Sequence, residues 1–485
     1  MNLPLLSLLL ALPLAGAALI AALPERAVRP CAALFQIGVL LLASVALFTY
    51  DPHGERFQLV ERALWLPALP AYYQLGVDGL SVLFLPATAL VFLGALVLNW
   101  NAVSEGRRLH HALQLLLLAA TLGIFCALDL LLFFLFWELS LIPLYFLLAR
   151  WGTSAGAAQV AARYCLLMLA GGALLLLAFA LLAVARPGAG FDLIAQLAQP
   201  LPRATQWTVF LLCLVGFGVK VPLVPLHTWL PQLALAAPGS LTAVLLGLKV
   251  GAYGLIRMAI PLAPDVAADL HWLLAGLGTL ALLYGAVSML AQTNLRVALA
   301  QASICHVGLV LLGLASLSAQ GVHGAVSLLL SFTLASGGAS LLLESLRQRT
   351  GSTDLQALGG AAQTMPLLAT GYLVCGLAGV GMPGTSSFPG EFLLILSALE
   401  AHTGAGMAAL FALSIAAGAF LHLYRKAFFG PVSQAAVAGA EDLRPRERVL
   451  LLALIAMIIG IGVHPEPWFD RVRPAAEAWA ADLRR

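Results

Sequence analysis

Long apolar runs recur along the whole chain, and their length constrains the fold more than any other feature of the sequence. A transmembrane helix needs about 20 consecutive apolar residues. Segments of about this length occupy 3–23, 30–49, 76–98, 111–127, 130–149, 162–185, 206–228, 240–261, 271–291, 296–317, 321–345, 365–400, 405–429 and 447–465. Because 61% of the residues are hydrophobic and only 10% are charged, a water-soluble globule could not bury this much apolar surface. We therefore predict an all-α polytopic membrane protein with about 14 transmembrane helices.

Two of these runs contain residues that interrupt helices. The seventh carries Pro222 and Pro225, and the twelfth, 365–400, is too long for one straight helix and carries Gly381 and Pro389. Proline removes a backbone donor and breaks a helix. Inside a membrane, the freed backbone groups are tolerated only where protein or a water-filled cavity lines them. The sequence therefore predicts local polar cavities at broken helices 7 and 12.

The lysines of this chain are few and unusually placed. There are three, and two of them, Lys220 and Lys249, lie inside apolar runs. Arginine keeps its proton under almost any condition, whereas a buried lysine shifts its pKa readily and can exchange its charge. Lys220 and Lys249 are therefore candidate proton carriers. The alternative is that each snorkels to the surface or forms a structural ion pair.

Four more ionisable residues lie within or beside apolar runs. Glu138 and Glu391 are candidates for function because a charge inside a membrane is costly and seldom incidental. His306 and His227 give weaker signals, since a lone histidine on a helix is often only a hydrogen-bonded core residue.

The spacing of these residues indicates an internal repeat. Lys220 follows Glu138 by 82 residues (220 − 138), and Glu391 follows His306 by 85 (391 − 306). Broken helices at matching positions in two halves are typical of transporters with inverted repeats. We predict two inverted five-helix repeats, helices 4–8 and 9–13. The chain would then divide into N-terminal helices 1–3 (1–110), a first proton half-channel (111–262), a second half-channel (263–430), and helix 14 with a tail (431–485).

The loops differ in positive charge. Arginines are more frequent after odd-numbered than after even-numbered predicted helices. Because cytoplasmic loops carry the excess of basic residues, we expect both termini to lie in the periplasm.

Five segments together identify a family. FWELSLIPLYFLLARWG, VKVPLVPLHTWLP, LKVGAYGLIR, ALAQASICHVGLVLLG and GMPGTSSFPGEFLLIL resemble, in this order, the signatures of the antiporter-like subunits of respiratory complex I. Mrp-type antiporters and membrane-bound hydrogenases share that fold. By this resemblance, the L and N branches have a lysine in the broken twelfth helix. The M branch is instead similar to the PGEF segment of this chain, which contains Glu391. The short C-terminal tail also favours the M branch.

The resemblance implies a role for each candidate. Glu138 would tune Lys220, the central proton carrier of the input half. Lys249 and His306 would continue the path, and Glu391 would be the terminal carrier of the output half.

The chain departs from the family pattern near the middle of this path. A helix-eleven histidine of many relatives aligns with Phe332, and Ser331, Thr333 or water would fill the gap. The stretch after WLP, which often contains an acidic residue and a histidine, is Gln232–Ala234 here. His227, just before WLP, is a possible supporting residue.

The function that the resemblance implies is proton pumping in a bacterial inner membrane. NADH, FMN, iron–sulfur clusters and quinone are expected in partner subunits, and the L and N subunits are the expected neighbours. No cofactor or metal is expected in this chain, because its six cysteines form no CxxC pair. The alternatives are a subunit of an Mrp-type cation/proton antiporter or membrane-bound hydrogenase, and a structural membrane anchor with inert ion pairs.

Overall fold

The fold is a helical bundle with one β-hairpin, seen in a computed structural model that describes residues 4–67, 69–432 and 434–484. Within these residues, ten helical segments are long and apolar enough to cross a membrane, or up to eleven if one bent pair counts as a span. The prediction of a polytopic, mainly helical membrane protein is therefore confirmed.

The N-terminal part contains an element that the sequence analysis missed. Its order is α1 (Leu5–Ala22), α2 (Glu25–Thr49), β1 (Gln58–Leu66), β2 (Ala71–Val77), α3 (Phe84–Asn99) and α4 (Arg107–Cys126). The strands β1 and β2 form an antiparallel hairpin in which Ala63 pairs with Tyr73. The all-α description is thus wrong for this segment. A hairpin of this length gives only a weak periodic signal beside strongly apolar helices.

The middle part contains two interruptions in its helices. It comprises α5 (Leu130–Leu139), α6 (Leu141–Trp151), α7 (Ala157–Ala185), α8 (Leu193–Leu197), α9 (Arg203–Lys220), α10 (Trp229–Ala236), α11 (Gly239–Gly247), α12 (Val250–Gly254), a π-helical turn (Leu255–Ala259) and α13 (Pro264–Asp269). The break after α9 occurs where Pro222 and Pro225 predict it. The break at Leu248 and Lys249 was not predicted, because the run 240–261 contains no proline before position 261.

The C-terminal part includes the second predicted break. It comprises α14 (His271–Leu290), α15 (Leu295–Leu314), α16 (Ala319–Thr350), a 3₁₀ turn (Leu355–Ala357), α17 (Ala361–Thr364), α18 (Pro366–Gly379), α19 (Ser387–Ala401), α20 (Thr403–Phe428), α21 (Ala435–Ala438), α22 (Pro445–Val463) and α23 (Glu466–Asp482). The chain between α18 and α19 is the break that Gly381 and Pro389 indicate.

The last helix was not expected. Helices α22 and α23 meet at 66°. The indole nitrogen of Trp479 in α23 donates a 2.7 Å hydrogen bond to the carbonyl of Ile256, so the C-terminal tail is part of the core.

The count of ten or eleven spans is smaller than the fourteen of the sequence prediction. Every predicted run contains helix, but α3 and α18 have only 16 and 14 residues, and α9 ends at its break. Such short or interrupted segments fall below the length of a regular span. The fourteen-helix arrangement therefore remains a prediction.

Three helical segments form the buried axis of the bundle. The stretch Gly239–Ala259 and helices α15 and α16 are buried along nearly their whole length, whereas only about a third of α1, α2 and α7 is buried. The axis carries Lys249 and His306.

Two buried helices begin in the same way. Asp129 caps α5 by accepting hydrogen bonds from the amides of Leu131 and Leu132, and Asn294 caps α15 by accepting one from Arg296. Each cap also forms an antiparallel bridge with an aspartate further along the chain, Asp129 with Asp192 and Asn294 with Asp354. Both caps meet the requirement that a helix end must satisfy its free amide groups.

Candidate functional site

Lys220 lies at the point where a membrane helix stops. It is the last residue of α9, and the chain leaves the helix through Pro222 and Pro225 because proline cannot continue the hydrogen-bond ladder. Its ammonium group donates a 3.1 Å hydrogen bond to Ser140 Oγ. It also lies 3.9 Å from the centre of the Trp137 ring. The lysine is thus held by a hydroxyl and an aromatic face, neither of which neutralises its charge.

Glu138 is close enough to Lys220 for their charges to interact, but the two side chains do not form a direct ion pair. The two charges interact electrostatically, yet the ion pairs found in the described part of the chain do not include this one. The Glu138 carboxylate instead packs against Gly172 of α7, where a Cβ atom would lie 1.8 Å from its Oε1. Both carboxylate oxygens are buried without a hydrogen-bond partner. The side chain is half-buried at the flank of the bundle.

A small cavity of about 40 Å³ lies between the first site and the middle of the bundle. Ser140 and Lys220 line one part of it, and Leu248 and Val250, which flank Lys249, line another. The cavity also includes the hydroxyl-bearing residue Tyr164. The space around Lys220 therefore reaches the second helix break.

Lys249 lies within that second break. It is the residue before α12, and its side chain is only 7% exposed. The ammonium group donates a hydrogen bond to Ser303 Oγ on α15. The break frees the carbonyl of Gly247, which accepts a 3.0 Å hydrogen bond from Thr333 Oγ1. Thr333 thus supports the break that positions Lys249.

Phe332 lies next to both Lys249 and His306. The Lys249 ammonium lies 5.4 Å from the centre of the Phe332 ring, and the centres of the His306 and Phe332 rings are 4.5 Å apart. A small, largely apolar cavity of about 30 Å³ adjoins the phenylalanine. An aromatic ring thus neighbours both of these candidate residues.

His306 and Glu391 meet at the third break. The His306 Nε2 atom is 3.4 Å from Glu391 Oε1, although the two do not have hydrogen-bond geometry. His306 Nδ1 lies 2.7 Å from the carbonyl of Ala302, one turn earlier in α15. Because that carbonyl can only accept, Nδ1 carries the proton and Nε2 is free to face the carboxylate.

The break before α19 is shaped around the Glu391 carboxylate. Gly381 has a φ of +70°, and a Cβ atom there would lie 1.9 Å from Glu391 Oε2. Glycine is therefore required both by the backbone and by the space. Ser331 Oγ donates a 2.7 Å hydrogen bond to the carbonyl of Ser386 in the same break. Ser331 and Thr333 thus each satisfy a carbonyl at a different break, and neither replaces the missing histidine directly.

His227 lies apart from this arrangement. Its ring packs against Tyr284 of α14 with the ring centres 4.5 Å apart. Its Nδ1 atom has no hydrogen-bond partner among the described residues. Among the described residues, no hydrogen bond, ion pair or ring contact joins His227 to Lys220, Lys249, His306 or Glu391.

The sequence analysis missed a fully buried ion pair beside the axis. Arg257, in the π-helical turn, makes a two-pronged contact with Asp78, and the longer of its two hydrogen bonds is 2.9 Å. Arg257 Nε donates to the hydroxyl of Tyr253 at 3.1 Å. The Arg257 and Asp78 side chains are only 2% and 1% exposed. Asp78 in an otherwise apolar motif was the signal that could have revealed the pair.

Comparison with known proteins identifies the family. The family model for the transmembrane part of NADH:quinone oxidoreductase and Mrp antiporter proteins matches residues 127–416. The chain is 33% identical to NADH-quinone oxidoreductase subunit M of Pseudomonas aeruginosa, covering 86% of this chain and 84% of that protein. It is 35% identical to an NAD(P)H-quinone oxidoreductase chain 4 of a Synechococcus species, covering 99% and 94%.

Solved structures agree with this assignment. A chain of respiratory complex I from Thermus thermophilus superimposes with a TM-score of 0.91 at 32% identity, covering 99% of both chains. A chain of the Mrp complex from a Dietzia species has the same fold, with a TM-score of 0.86 at 22% identity over the full length of both. The present chain therefore belongs to the NADH:quinone oxidoreductase/Mrp antiporter transmembrane family.

Proposed function

We propose that this chain is a proton-translocating membrane-arm subunit of respiratory complex I, of the M type. The observation that carries the proposal is that Lys220 and Lys249 each lie at a break in a membrane helix, and that the Glu391 carboxylate, which faces His306, lies against a third break at Gly381. A break supplies the polar backbone and the space that a proton carrier needs inside a membrane.

The driving reaction would take place elsewhere in the complex. NADH oxidation and quinone reduction would occur in partner subunits, which would hold NADH, FMN, iron–sulfur clusters and quinone, and this chain would have no redox site of its own. The relatives named subunit M and chain 4 of quinone oxidoreductases support this assignment. The neighbours would include the L and N antiporter-like subunits, within a bacterial inner membrane.

The first half of the path would be controlled from the flank. Glu138 is half-buried there, with both oxygens unpaired, so a charge change in a neighbouring subunit would alter its electrostatic interaction with Lys220. Two charges 4 Å apart interact by about 4 kcal/mol at an effective dielectric of 20, and a larger separation weakens this in proportion. Lys220 would then pass its proton through Ser140 and the adjoining cavity, since a hydroxyl both donates and accepts.

The second half would begin at Lys249 and end at Glu391. The hydroxyl of Ser303 receives the Lys249 hydrogen bond and lies one helical turn before His306. Transfer past Phe332 would need water, and the adjoining cavity of about 30 Å³ has room for about one molecule. His306 would then hand the proton across 3.4 Å to Glu391.

The predicted fourteen helices and two inverted repeats are part of this proposal. The paired caps support it, because Asp129 with Asp192 and Asn294 with Asp354 lie at corresponding places in residues 111–262 and 263–430. The two pairs also have similar sequence separations, 63 residues (192 − 129) and 60 residues (354 − 294). Both termini would face the periplasm.

Purification in mild detergent, with mass-spectrometric identification of the co-purifying chains, tests the assignment. We expect the other membrane-arm subunits and the NADH- and quinone-reactive subunits of complex I. A set of Mrp subunits or a hydrogenase would instead support the alternative family branches.

A further inference from the structure

An arginine cluster lies where three helices begin at one end of the bundle. It consists of Arg29 on α2, Arg107 at the start of α4, and Arg444 and Arg446 at the start of α22. The carbonyl of Val103 accepts hydrogen bonds from both Arg29, at 3.0 Å, and Arg107, at 3.2 Å. Two guanidinium groups thus share one neutral acceptor.

The other two arginines also share a neutral partner. In the amide orientation that satisfies both, the side-chain oxygen of Asn101 accepts from Arg444 at 2.8 Å and from Arg446 at 3.2 Å. Arg29 lies within electrostatic range of Arg107 and Arg446, so the groups repel one another. Such repulsion is unfavourable unless an anion compensates it.

Two carboxylates beside the cluster already pair with other arginines. Glu25 pairs with Arg108 at 3.5 Å, and Glu447 pairs with Arg349. The Nε atoms of Arg29 and Arg446 are buried and have no hydrogen-bond partner among the described residues. The cluster therefore has both excess positive charge and unused donors.

An apolar surface continues from this cluster toward the middle of the membrane. Helix α3 packs against both α2 and α22 and is shorter than either. It presents Leu90, Leu93 and Val97 as a partly exposed stripe at helical spacing. Trp100 follows at the level of the arginines, as is typical of the membrane interface.

The flanking helices extend this apolar surface. On α2, Leu34 and Leu41 are 70% and 63% exposed, and on α22, Val449 and Leu452 are 69% and 66% exposed. A lipid phosphate bound at the arginines would therefore have an apolar protein surface beside it, against which an acyl chain could pack.

We propose that the arginine cluster and the α3 stripe form a binding site for a phospholipid with an anionic headgroup. The phosphate would accept two-pronged hydrogen bonds from the guanidinium groups, for which arginine is better suited than lysine. An acyl chain would lie along Leu90, Leu93 and Val97. Charge complementarity selects the headgroup, and the apolar stripe selects a lipid over a free phosphate ion. This site is independent of the proton path.

The test is a titration of fluorescent phosphatidylglycerol onto the detergent-purified protein within its native complex, with phosphatidylcholine of the same chains as the comparison lipid. The variant is Arg29→Gln with Arg446→Gln. The matched control is Arg163→Gln with Arg425→Gln, because both control arginines are exposed and belong to the same predicted face. We expect phosphatidylglycerol to bind the variant at least about tenfold more weakly than the control, since charge-assisted hydrogen bonds are lost.

A second variant keeps the test decisive if the first one assembles poorly. Arg446→Lys retains the charge but loses the fork geometry, so it should fold and show an intermediate loss of affinity. Equal affinity in the variant and the control, or equal binding of the two lipids, would overturn the proposal. Complete displacement of the lipid by the same concentration of inorganic phosphate would also overturn it, because the site would then recognise an ion and not a lipid.

Discussion

Replacing Lys220 with arginine separates a proton carrier from a structural cation. The structure predicts that the substitution is accommodated, because a guanidinium can still donate to Ser140 and stack on Trp137. These contacts are worth about 1.5–3 kcal/mol for a hydrogen bond to a charged group and about 2 kcal/mol for a desolvated cation–π contact. Both favourable interactions would remain, so the complex should assemble normally.

Proton release, however, should fail. Free arginine holds its proton about 2 to 3 pKa units more tightly than free lysine, which is about 3 to 5 kcal/mol. If Lys220 must lose its proton in each cycle, that difference slows the step by a factor of about a hundred to several thousand. We therefore expect proton pumping by Lys220→Arg to fall to the background level.

The assay is pH-dye quenching in liposomes containing the purified complex, driven by NADH and quinone. Lys426→Arg is the matched control, because it makes the same chemical change at the one exposed lysine and should pump normally. Co-purification of the partner subunits verifies assembly of both variants. Full pumping by an assembled Lys220→Arg complex would refute the proton-carrier role and leave Lys220 as a structural cation.

Other predictions use the same preparation. Glu138→Gln and Lys220→Ala should each impair pumping to a similar extent, and the double variant should be little worse than either, as a double-mutant cycle of pumping rates will show. Glu391→Gln should lower pumping and the coupled quinone reduction rate while the complex still assembles, and unchanged pumping would remove Glu391 from the path. Asp78→Asn leaves the buried Arg257 charge without its partner and should destabilise the fold by about 3–5 kcal/mol, measured as a lower thermal unfolding temperature. A reporter fused to the C-terminus should behave as periplasmic, and a cytoplasmic signal would show that the number of spans is odd.

Isolated charges were the most informative residues at the level of sequence. Lys220, Lys249 and Glu391 could be singled out because a charge in an apolar run is costly and therefore has a reason to be there. The breaks at Pro222 and before Glu391 were also predictable, since proline and glycine act locally. These features need no knowledge of which helices are neighbours.

The partners of those charges could not be predicted in the same way. Ser140 and Ser303 are ordinary hydroxyl residues of membrane helices, and only the packing of α5 against α9 and of α12 against α15 brings them to the lysines. The break at Lys249 has no proline to mark it. Its Gly247 carbonyl is satisfied from another helix, by Thr333, which is a tertiary contact. The sequence analysis inferred that Glu138 acts on Lys220. The contact between the Glu138 carboxylate and Gly172, however, depends on how α5 packs against α7.

The C-terminal helix links biosynthesis to the proton path. Trp479 donates a hydrogen bond to the carbonyl of Ile256, which lies next to Arg257 in the π-helical turn. Trp479 and Ile256 are 223 positions apart in the chain. Gly79, beside Asp78, is also packed under this helix, where a Cβ atom would lie 2.0 Å from the carbonyl of Arg471. At a synthesis rate of about 5–20 residues per second, the Ile256 carbonyl would lack this hydrogen bond for roughly 10 to 45 seconds after the turn is synthesised. A chain whose synthesis stopped before Trp479 would therefore contain the apolar helices through α22 but would leave the Ile256 carbonyl without this donor.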